Sequence, residues 1–156
     1  MKYRLTNETI KFGKVILHRI ECVKAFADVK VGDKGGWIEK ESNLSQTDNA
    51  WVYGGAEVYG NAEVYGNARV SGCAEVHGNA QVYGGAWVCG DAEVWGKARV
   101  SGNAQVSGDA EVYGNAWVRD NAEVYGSAQV YGNAVVSGNA WVRDNAEVWQ
   151  RKPTEK

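Results

Sequence analysis

The sequence predicts an all-β chain that folds as a triangular solenoid of about six parallel coils. The first observation is an internal repeat: residues 49–150 divide into 17 hexads without an insertion, and every hexad has Ala second and Val fourth. The second is the placement of turn-forming residues at the ends of the hexads, since Gly is sixth in 14 hexads and Asn is first in 10. A repeat this short and regular predicts stacked coils, each built from a few hexads.

The positions of the hexad explain how such a coil forms. Valine is restricted at its first side-chain torsion and favours a short strand, whereas alanine leaves room where the chain turns a corner. Gly followed by Asn supplies the corner, because these residues adopt positive φ at low cost. The segment NLSQTD, residues 43–48, is interpreted as a degraded first hexad with Leu44 in the alanine place. Six coils at about 4.8 Å per coil then give a prism about 29 Å tall.

Written from the valine, the repeat reads Val, variable, usually Gly, often Asn, Ala, variable. This pattern resembles that of the hexapeptide-repeat, left-handed parallel β-helix family, which is aliphatic, three variable positions, small, variable. The resemblance covers residues 49–150 and implies three hexads in each left-handed coil, and members of the family are commonly trimers. The opening and closing segments resemble uncharacterised hexapeptide-repeat proteins of phages and enteric bacteria, which implies a protein of phage or prophage type.

Residues 1–42 are predicted to cap one end of the stack, because open strand edges invite further chains to pair with them. The stretches KYRLTNETI and KVILHRIECV flank a turn at Gly13 and indicate a β-hairpin. The glycine-rich segment that follows indicates an irregular first coil, with Trp37 as a plug for the open prism. The sequence thus divides into a cap at 1–42, a β-helix at 43–150 and a tail at 151–156.

The tail is predicted to protect the other end of the stack. It begins with Arg151, Lys152 and Pro153, soon after the last valine of the repeat. Charged side chains and a residue without an amide proton discourage another strand from pairing at an edge.

The third and fifth residues of each hexad are predicted to face outward, and the repeat stacks them in columns. One face carries an acidic column: Glu57, Glu75, Glu93, Glu111, Gln129 and Glu147. Beside it runs an aromatic column: Tyr59, His77, Trp95, Tyr113, Tyr131 and Trp149. We interpret these columns, with Trp51 and Trp87 of another face, as an interaction surface, because contiguous exposed aromatic residues usually mark one. The alternative is structural: the rings stack for stability and the glutamates extend into water.

A second candidate site lies in the segment NAWVRDNAEV, which occurs at 115–124 and again at 139–148. Each copy places Trp and Arg two apart on one strand: Trp117 with Arg119, and Trp141 with Arg143. An indole and a guanidinium on the same face suit an anionic aromatic molecule such as a nucleotide. Asp120 and Asp144 replace the usual Gly and are expected to hold the arginines in place. Duplication of a tolerated pair of hexads is the alternative interpretation.

Catalysis finds little support in the residues. The resemblance implies histidine chemistry at subunit interfaces, either a general base in acyltransferases or a zinc triad in γ-type carbonic anhydrases. This chain has His18 and His77 only, without a carboxylate or cysteine at ligand spacing, so we expect His77 to stack with its aromatic column. The uninterrupted hexads also lack the loop with which acyltransferases of the family shape an acceptor pocket. The sequence therefore predicts no catalytic residue, no metal site and no cofactor.

Charge and cysteine usage restrict the partners and the compartment. Residues 49–150 carry 11 acidic against 5 basic side chains, which argues against duplex nucleic acid, whose phosphates need many cations. The start of the chain lacks the apolar core of a signal peptide, there is no membrane-spanning run, and the three cysteines show no paired spacing, so we expect a cytoplasmic protein.

The predicted function is that of a non-catalytic binding and assembly protein. We expect a homo-oligomer, with a trimer favoured, and a small molecule or a host protein as a further partner. The alternative function is sequestration of a small anionic aromatic ligand, such as a host signalling nucleotide. An acyltransferase-like enzyme is the third function considered.

Overall fold

The computed structural model describes residues 1–150 and confirms the all-β class. Three longer strands come first: β1 (Tyr3–Phe12), β2 (Val15–Cys22) and β3 (Lys34–Ile38). One 3-10 turn follows at Glu41–Asn43, and the remaining 17 strands, β4 to β20, have two residues each. Within residues 1–150 there is no helix with the length and apolar character needed to cross a membrane.

The short strands form three parallel sheets, one for each side of the prism. The acidic face contains β5 (Glu57–Val58), β8 (Glu75–Val76), β11 (Glu93–Val94), β14 (Glu111–Val112), β17 (Gln129–Val130) and β20 (Glu147–Val148). The Trp141 face contains β4 (Trp51–Val52), β7 (Arg69–Val70), β10 (Trp87–Val88), β13 (Gln105–Val106), β16 (Glu123–Val124) and β19 (Trp141–Val142). The Trp117 face contains β6 (Glu63–Val64), β9 (Gln81–Val82), β12 (Arg99–Val100), β15 (Trp117–Val118) and β18 (Val135–Val136).

Each coil is joined to the next by backbone hydrogen bonds in one constant register. Glu93 pairs with Glu111 on the following coil, and its amide donates to the carbonyl of Ala110 at 3.0 Å. The hexad alanines and valines from Ala50 to Val142 are at most 2% exposed, so they fill the prism as alternating small and branched layers. Burial falls off in the last hexad, because no coil within the described residues covers it.

The N-terminal cap begins with the predicted hairpin. β1 pairs with β2 in antiparallel fashion, and Gly13 turns the chain between them with φ of +64°. β2 in turn pairs with β3, and β3 pairs in parallel with β5, so the hairpin extends the sheet of the acidic face. The cap therefore covers the first coil as part of the same hydrogen-bonded sheet.

Side-chain nitrogens complete this cap on the other two faces. In a regular coil, carbonyls at the sixth and second hexad positions accept amides of the preceding coil, as Gly78 and Ala80 do. In the first coil, the Lys2 ammonium donates instead to the carbonyls of Asp48 and Ala50, at 2.8 and 2.7 Å. The Asn43 amide does the same on the Trp117 face, donating at 3.2 and 2.9 Å to the matching carbonyls of Gly60 and Ala62. Both side chains are buried, so they satisfy edge acceptors that water cannot reach.

The positions predicted for two residues of this region, Trp37 and Leu44, are wrong. Trp37 is not a plug, because it pairs beside outward Glu57 while Ile38 takes the inward place of Val58. The Trp37 ring lies under the Arg19 guanidinium, 4.6 Å from the ring centroid. Leu44 bridges Val64 and so occupies the valine place instead of the alanine place. The reason is that Leu44 follows Ile38 by six residues, whereas Val52, the first valine of the repeat, follows Leu44 by eight.

Trp51 is also placed differently from the surface position predicted for it. It stands at an outward hexad position of β4 but is only 2% exposed. The rings of Tyr3 and Phe26 pack edge-on against it, with centroids 6.2 and 5.3 Å away. The N-terminal segment folds over this part of the Trp141 face, so Trp51 belongs to the core.

The corner glycines provide a test of the stacking. Gly96 has φ of +68°, and a Cβ added there would lie 2.9 Å from the amide nitrogen of Gly114 on the next coil. Gly13 has φ of +64° with nothing within 4 Å of an added Cβ. We expect Gly13→Ala to cost about 1–2 kcal/mol, the usual penalty for a left-handed alanine, and Gly96→Ala to cost clearly more. Thermal unfolding followed by circular dichroism measures both, and equal losses would contradict close packing of the corners.

Candidate functional site

The acidic column predicted from the repeat is present on the acidic face. Parallel pairing aligns its members one above another: Glu57, Glu75, Glu93, Glu111, Gln129 and Glu147. In residues 1–150, no Lys or Arg nitrogen lies within 4.0 Å of these carboxylates. The column is therefore a line of negative charge that the described chain does not neutralise.

The aromatic column beside it is a continuous stack over four contacts. The ring centroids are separated by 4.8 Å for Tyr59 and His77, 5.8 Å for His77 and Trp95, 4.4 Å for Trp95 and Tyr113, and 5.2 Å for Tyr113 and Tyr131. The paired planes deviate from parallel by at most 7°. Phe12 of the hairpin closes the stack by packing edge-on against Tyr59 at 5.6 Å. Trp149, the last member, is 54% exposed.

The two columns are electrostatically linked. Burial raises the pKa of the Tyr59 hydroxyl, and the charge of Glu75 raises it further. Burial also raises the pKa of Glu57. The pKa of Glu93 is raised mainly by burial. A hydrogen bond with Glu75 and the charge of Glu75 raise this pKa further, whereas His77 lowers it. These shifts reflect carboxylates that are partly desolvated and lie near others of the same sign.

His77 lies next to two members of the acidic column. One ligand atom from each of Glu75, His77 and Glu93 can be chosen so that all three lie within 4.8 Å of one another. Burial lowers the pKa of the His77 imidazole, with partial opposition from Glu93. The sequence analysis found no carboxylate at ligand spacing from this histidine, and the structure corrects that point. The signal available in the sequence was the repeat itself, which sets Glu93 one coil beyond Glu75.

The two predicted Trp and Arg pairs differ in their surroundings. At Trp117, the guanidiniums of both Arg99 and Arg119 lie over the ring, 3.9 and 4.6 Å from its centroid. The indole nitrogen donates to the Ser101 hydroxyl at 2.9 Å, so this side chain is extensively paired within the chain. Sequence reasoning missed Arg99, which belongs to the preceding coil.

At the second pair, Trp141 is 59% exposed and Arg143 lies 5.8 Å from the ring centroid. The pair projects from the Trp141 face into solvent. Trp87 of the same face is 38% exposed, and its indole nitrogen donates to Ser71 at 3.0 Å. Trp141 with Arg143 is therefore the one of the two predicted pairs with an accessible ring.

Asp120 and Asp144 both adopt φ of +59° at the corners where most hexads have glycine. Each carboxylate lies 3.9 Å from the Nε of the preceding arginine, which is beyond hydrogen-bond distance. Asp120 also accepts a hydrogen bond from the Gly138 amide of the next coil at 2.9 Å. This aspartate thus links two coils.

The other reactive side chains lie apart from these groups. Nδ1 of His18 lies 3.1 Å from the carbonyl oxygen of Thr6, its partner within the hairpin. Cys22 is buried, Cys73 is exposed and Cys89 is half-buried. Burial raises the pKa of the Cys89 thiol, which disfavours the nucleophilic thiolate. The predicted tail residues Arg151, Lys152 and Pro153 lie outside the described residues.

Comparison with known proteins identifies similar repeats. A family model described as the YdcK beta solenoid repeat matches residues 104–120 and 128–144. The protein named "Uncharacterized acetyltransferase YdcK" of Escherichia coli (strain K12) is 38% identical over 60 residues. This match covers 33% of the present chain and 18% of the relative, so the chain spans less than a fifth of the length of the curated relative it matches.

The two segments that the family model matches lie within the repeat and outside the N-terminal cap. They agree with the hexad pattern and with three parallel sheets wound around an alanine and valine core. The repeat of this chain is therefore similar to the YdcK beta solenoid repeat, and the chain folds as a parallel β-solenoid.

Proposed function

We propose that this chain is a non-catalytic binding and assembly module, whose copies pack side by side through the long faces of the prism. The observation that carries the proposal is the acidic column, whose carboxylates lack a cation within the described chain. A regular row of unneutralised charge beside stacked aromatic rings suits a partner surface of opposite charge.

The other two faces of the same chain have the required chemistry. Arg69 and Arg143 project from the Trp141 face, and Arg99 and Arg119 from the Trp117 face. Contact between the acidic face of one copy and an arginine-bearing face of another joins two different surfaces. Such a contact closes into a ring when the rotation between copies permits. We favour a trimer, because trimers are common in the family that the repeat resembles.

Exposed indoles on the Trp141 face add apolar area to this contact. Trp87 and Trp141 are 38% and 59% exposed and lie on the same sheet as the arginines. Tryptophan and arginine are enriched among the residues that dominate binding energy at protein interfaces. We therefore favour the Trp141 face as the surface that meets the acidic face.

Charge reversal on the acidic face tests this assembly. We expect the double substitution Glu57→Lys with Glu111→Lys to lower the oligomer mass, because lysines would then face arginines of the next copy. Light scattering coupled to size-exclusion chromatography measures the mass over a range of protein concentrations. The matched control is Glu63→Lys, which changes an exposed glutamate at the same hexad position on the Trp117 face and should leave the mass unchanged.

Unchanged mass in the double variant, with its circular dichroism spectrum intact, would contradict a contact through the acidic face. An equal effect of the control would contradict a specific role for that face. Trp87→Ser with Trp141→Ser then identifies the partner surface, since loss of these indoles should also weaken association.

The second candidate function is binding of a small anionic aromatic ligand at Trp141 and Arg143. The observation that favours it is the exposure of both side chains beside each other on one strand. An accessible indole offers a face for stacking, and a guanidinium binds phosphate or carboxylate. Trp117 is a poorer platform, because two guanidiniums already lie over its ring.

A thermal-shift assay with a nucleotide panel tests this second function. We expect Arg143→Ala to abolish the shift given by a bound nucleotide while leaving the ligand-free melting temperature unchanged, because the side chain is exposed. Arg119→Ala is the comparison: it should keep the shift but lose about 0.5–1 kcal/mol of stability with its contact to Trp117. Absence of a shift from every nucleotide with the unaltered chain would exclude this function.

Acetyl transfer, suggested by the name of the curated relative, is the third function considered. Such a reaction needs a positioned general base close to the acceptor. His77 is the outward imidazole of the solenoid, and its ring is stacked between Tyr59 and Trp95. Because the uninterrupted hexads provide no loop to shape an acceptor pocket beside this ring, we rank this activity below binding and assembly.

A further inference from the structure

The aromatic column contains a single histidine, and this histidine lies against two glutamates of the acidic column. Glu75 precedes His77 by two residues on the same coil, and Glu93 stands beside Glu75 on the next coil. The three ligand atoms lie within 4.8 Å of one another, and Nε2 of His77 is 4.0 Å from Oε2 of Glu93. All three side chains are half-buried, so an ion can reach them from solvent.

The imidazole ring is held in a fixed plane. Tyr59 and Trp95 stack on it from the preceding and the following coil, with planes within 3° of parallel. The Tyr59 hydroxyl also hydrogen-bonds to Oε1 of Glu75 at 3.5 Å. Outer contacts of this kind orient ligand side chains and thereby raise the affinity of metal sites.

Charge at the cluster favours a cation. The described chain offers these carboxylates no Lys or Arg partner within 4.0 Å, so Glu75 and Glu93 repel each other without compensation. A divalent ion between them would neutralise both. Elsewhere in the column each glutamate lies beside a Tyr or Trp, which supplies no nitrogen ligand, so the arrangement occurs once in the solenoid.

We propose that Glu75, His77 and Glu93 bind one divalent transition-metal ion of the Zn²⁺ or Co²⁺ class. Imidazole nitrogen with carboxylate oxygens is a donor set that suits such ions. Their metal–ligand distances of about 2.0–2.2 Å require ligand atoms about 3.5 Å apart, so the half-exposed glutamates must close in by about 1 Å. Three protein ligands leave at least one coordination position for water or a bound anion.

This site does not require the proposed assembly, although Glu75 and Glu93 also belong to the acidic face. Its ligands come from one chain, so a monomer should bind one ion. Oligomer mass measured with and without metal separates the two proposals, since either can fail alone.

The test is a titration of the purified, untagged chain with Co²⁺ and Zn²⁺. Exposed Cys73 lies two residues before Glu75, so every protein carries Cys73→Ser to remove a competing thiolate. We expect visible Co²⁺ bands that saturate at one ion per chain, and calorimetric Zn²⁺ binding with the same stoichiometry. Zn²⁺ should also raise the melting temperature, as a ligand specific for the folded state does.

Two variants and one control assign the ligands. His77→Tyr should abolish binding while keeping the ring stack, because tyrosine occupies neighbouring places in the column. Glu93→Gln should weaken binding by more than about tenfold. Glu111→Gln, one coil further along the acidic column and beside Tyr113, should bind as the parent does.

Several outcomes would overturn the proposal. Absence of saturable binding by the parent chain is one, and unchanged binding by His77→Tyr is another. Equal weakening by Glu93→Gln and Glu111→Gln would show that cations associate with the acidic face in general. If His77→Tyr loses its circular dichroism spectrum, the comparison of the two glutamine variants still decides the matter.

Discussion

The hydrogen-bonded register between successive coils is the constraint on which the rest of this structure depends. Each amide at an outward position donates to a carbonyl of the following coil, as Glu93 does to Ala110. That register places every valine over a valine and every corner glycine over another corner. An insertion within the hexads would shift the inward and outward residues together, so the continuous core requires the continuous repeat.

A stack of this kind creates a problem at its first coil, where carbonyl groups face no preceding coil. The chain solves it with three different donors: the backbone of β3 on one face, the Lys2 ammonium on the second and the Asn43 amide on the third. Burial lowers the pKa of Lys2, although nearby Asp48 favours its charged form. The cap is therefore specific in its hydrogen bonds as well as in shape: it satisfies carbonyls of the first coil and leaves β1 as the outer strand of the extended sheet.

The same register aligns the outward residues in columns, so a single substitution changes the neighbours of residues on the coils before and after it. Four ring contacts stack the aromatic residues of the acidic face. The glutamates beside them have no Lys or Arg nitrogen within 4.0 Å in residues 1–150 and form a parallel line of charge. A single departure from Tyr or Trp, at His77, brings an imidazole nitrogen within 4.8 Å of two carboxylates. The two Trp and Arg pairs lie in identical segments and still differ in exposure, because the Arg99 guanidinium covers the ring of Trp117. The candidate sites of this chain therefore lie where one residue differs from the others in its column.

The sequence by itself determined the solenoid, its three faces and the membership of each column, because burial and corner geometry repeat locally and the repeat is unbroken. It also located the hairpin at Gly13, since a turn and its flanking strands are local features. Only the tertiary structure decided that Trp51 is buried, that Trp37 faces outward and that Leu44 takes a valine place. Those outcomes depend on how an irregular segment folds over the first coil, which no periodicity encodes. The approach of Glu93 to His77 and of Arg99 to Trp117 likewise belongs to the tertiary structure, because it depends on side-chain rotamers chosen across neighbouring coils.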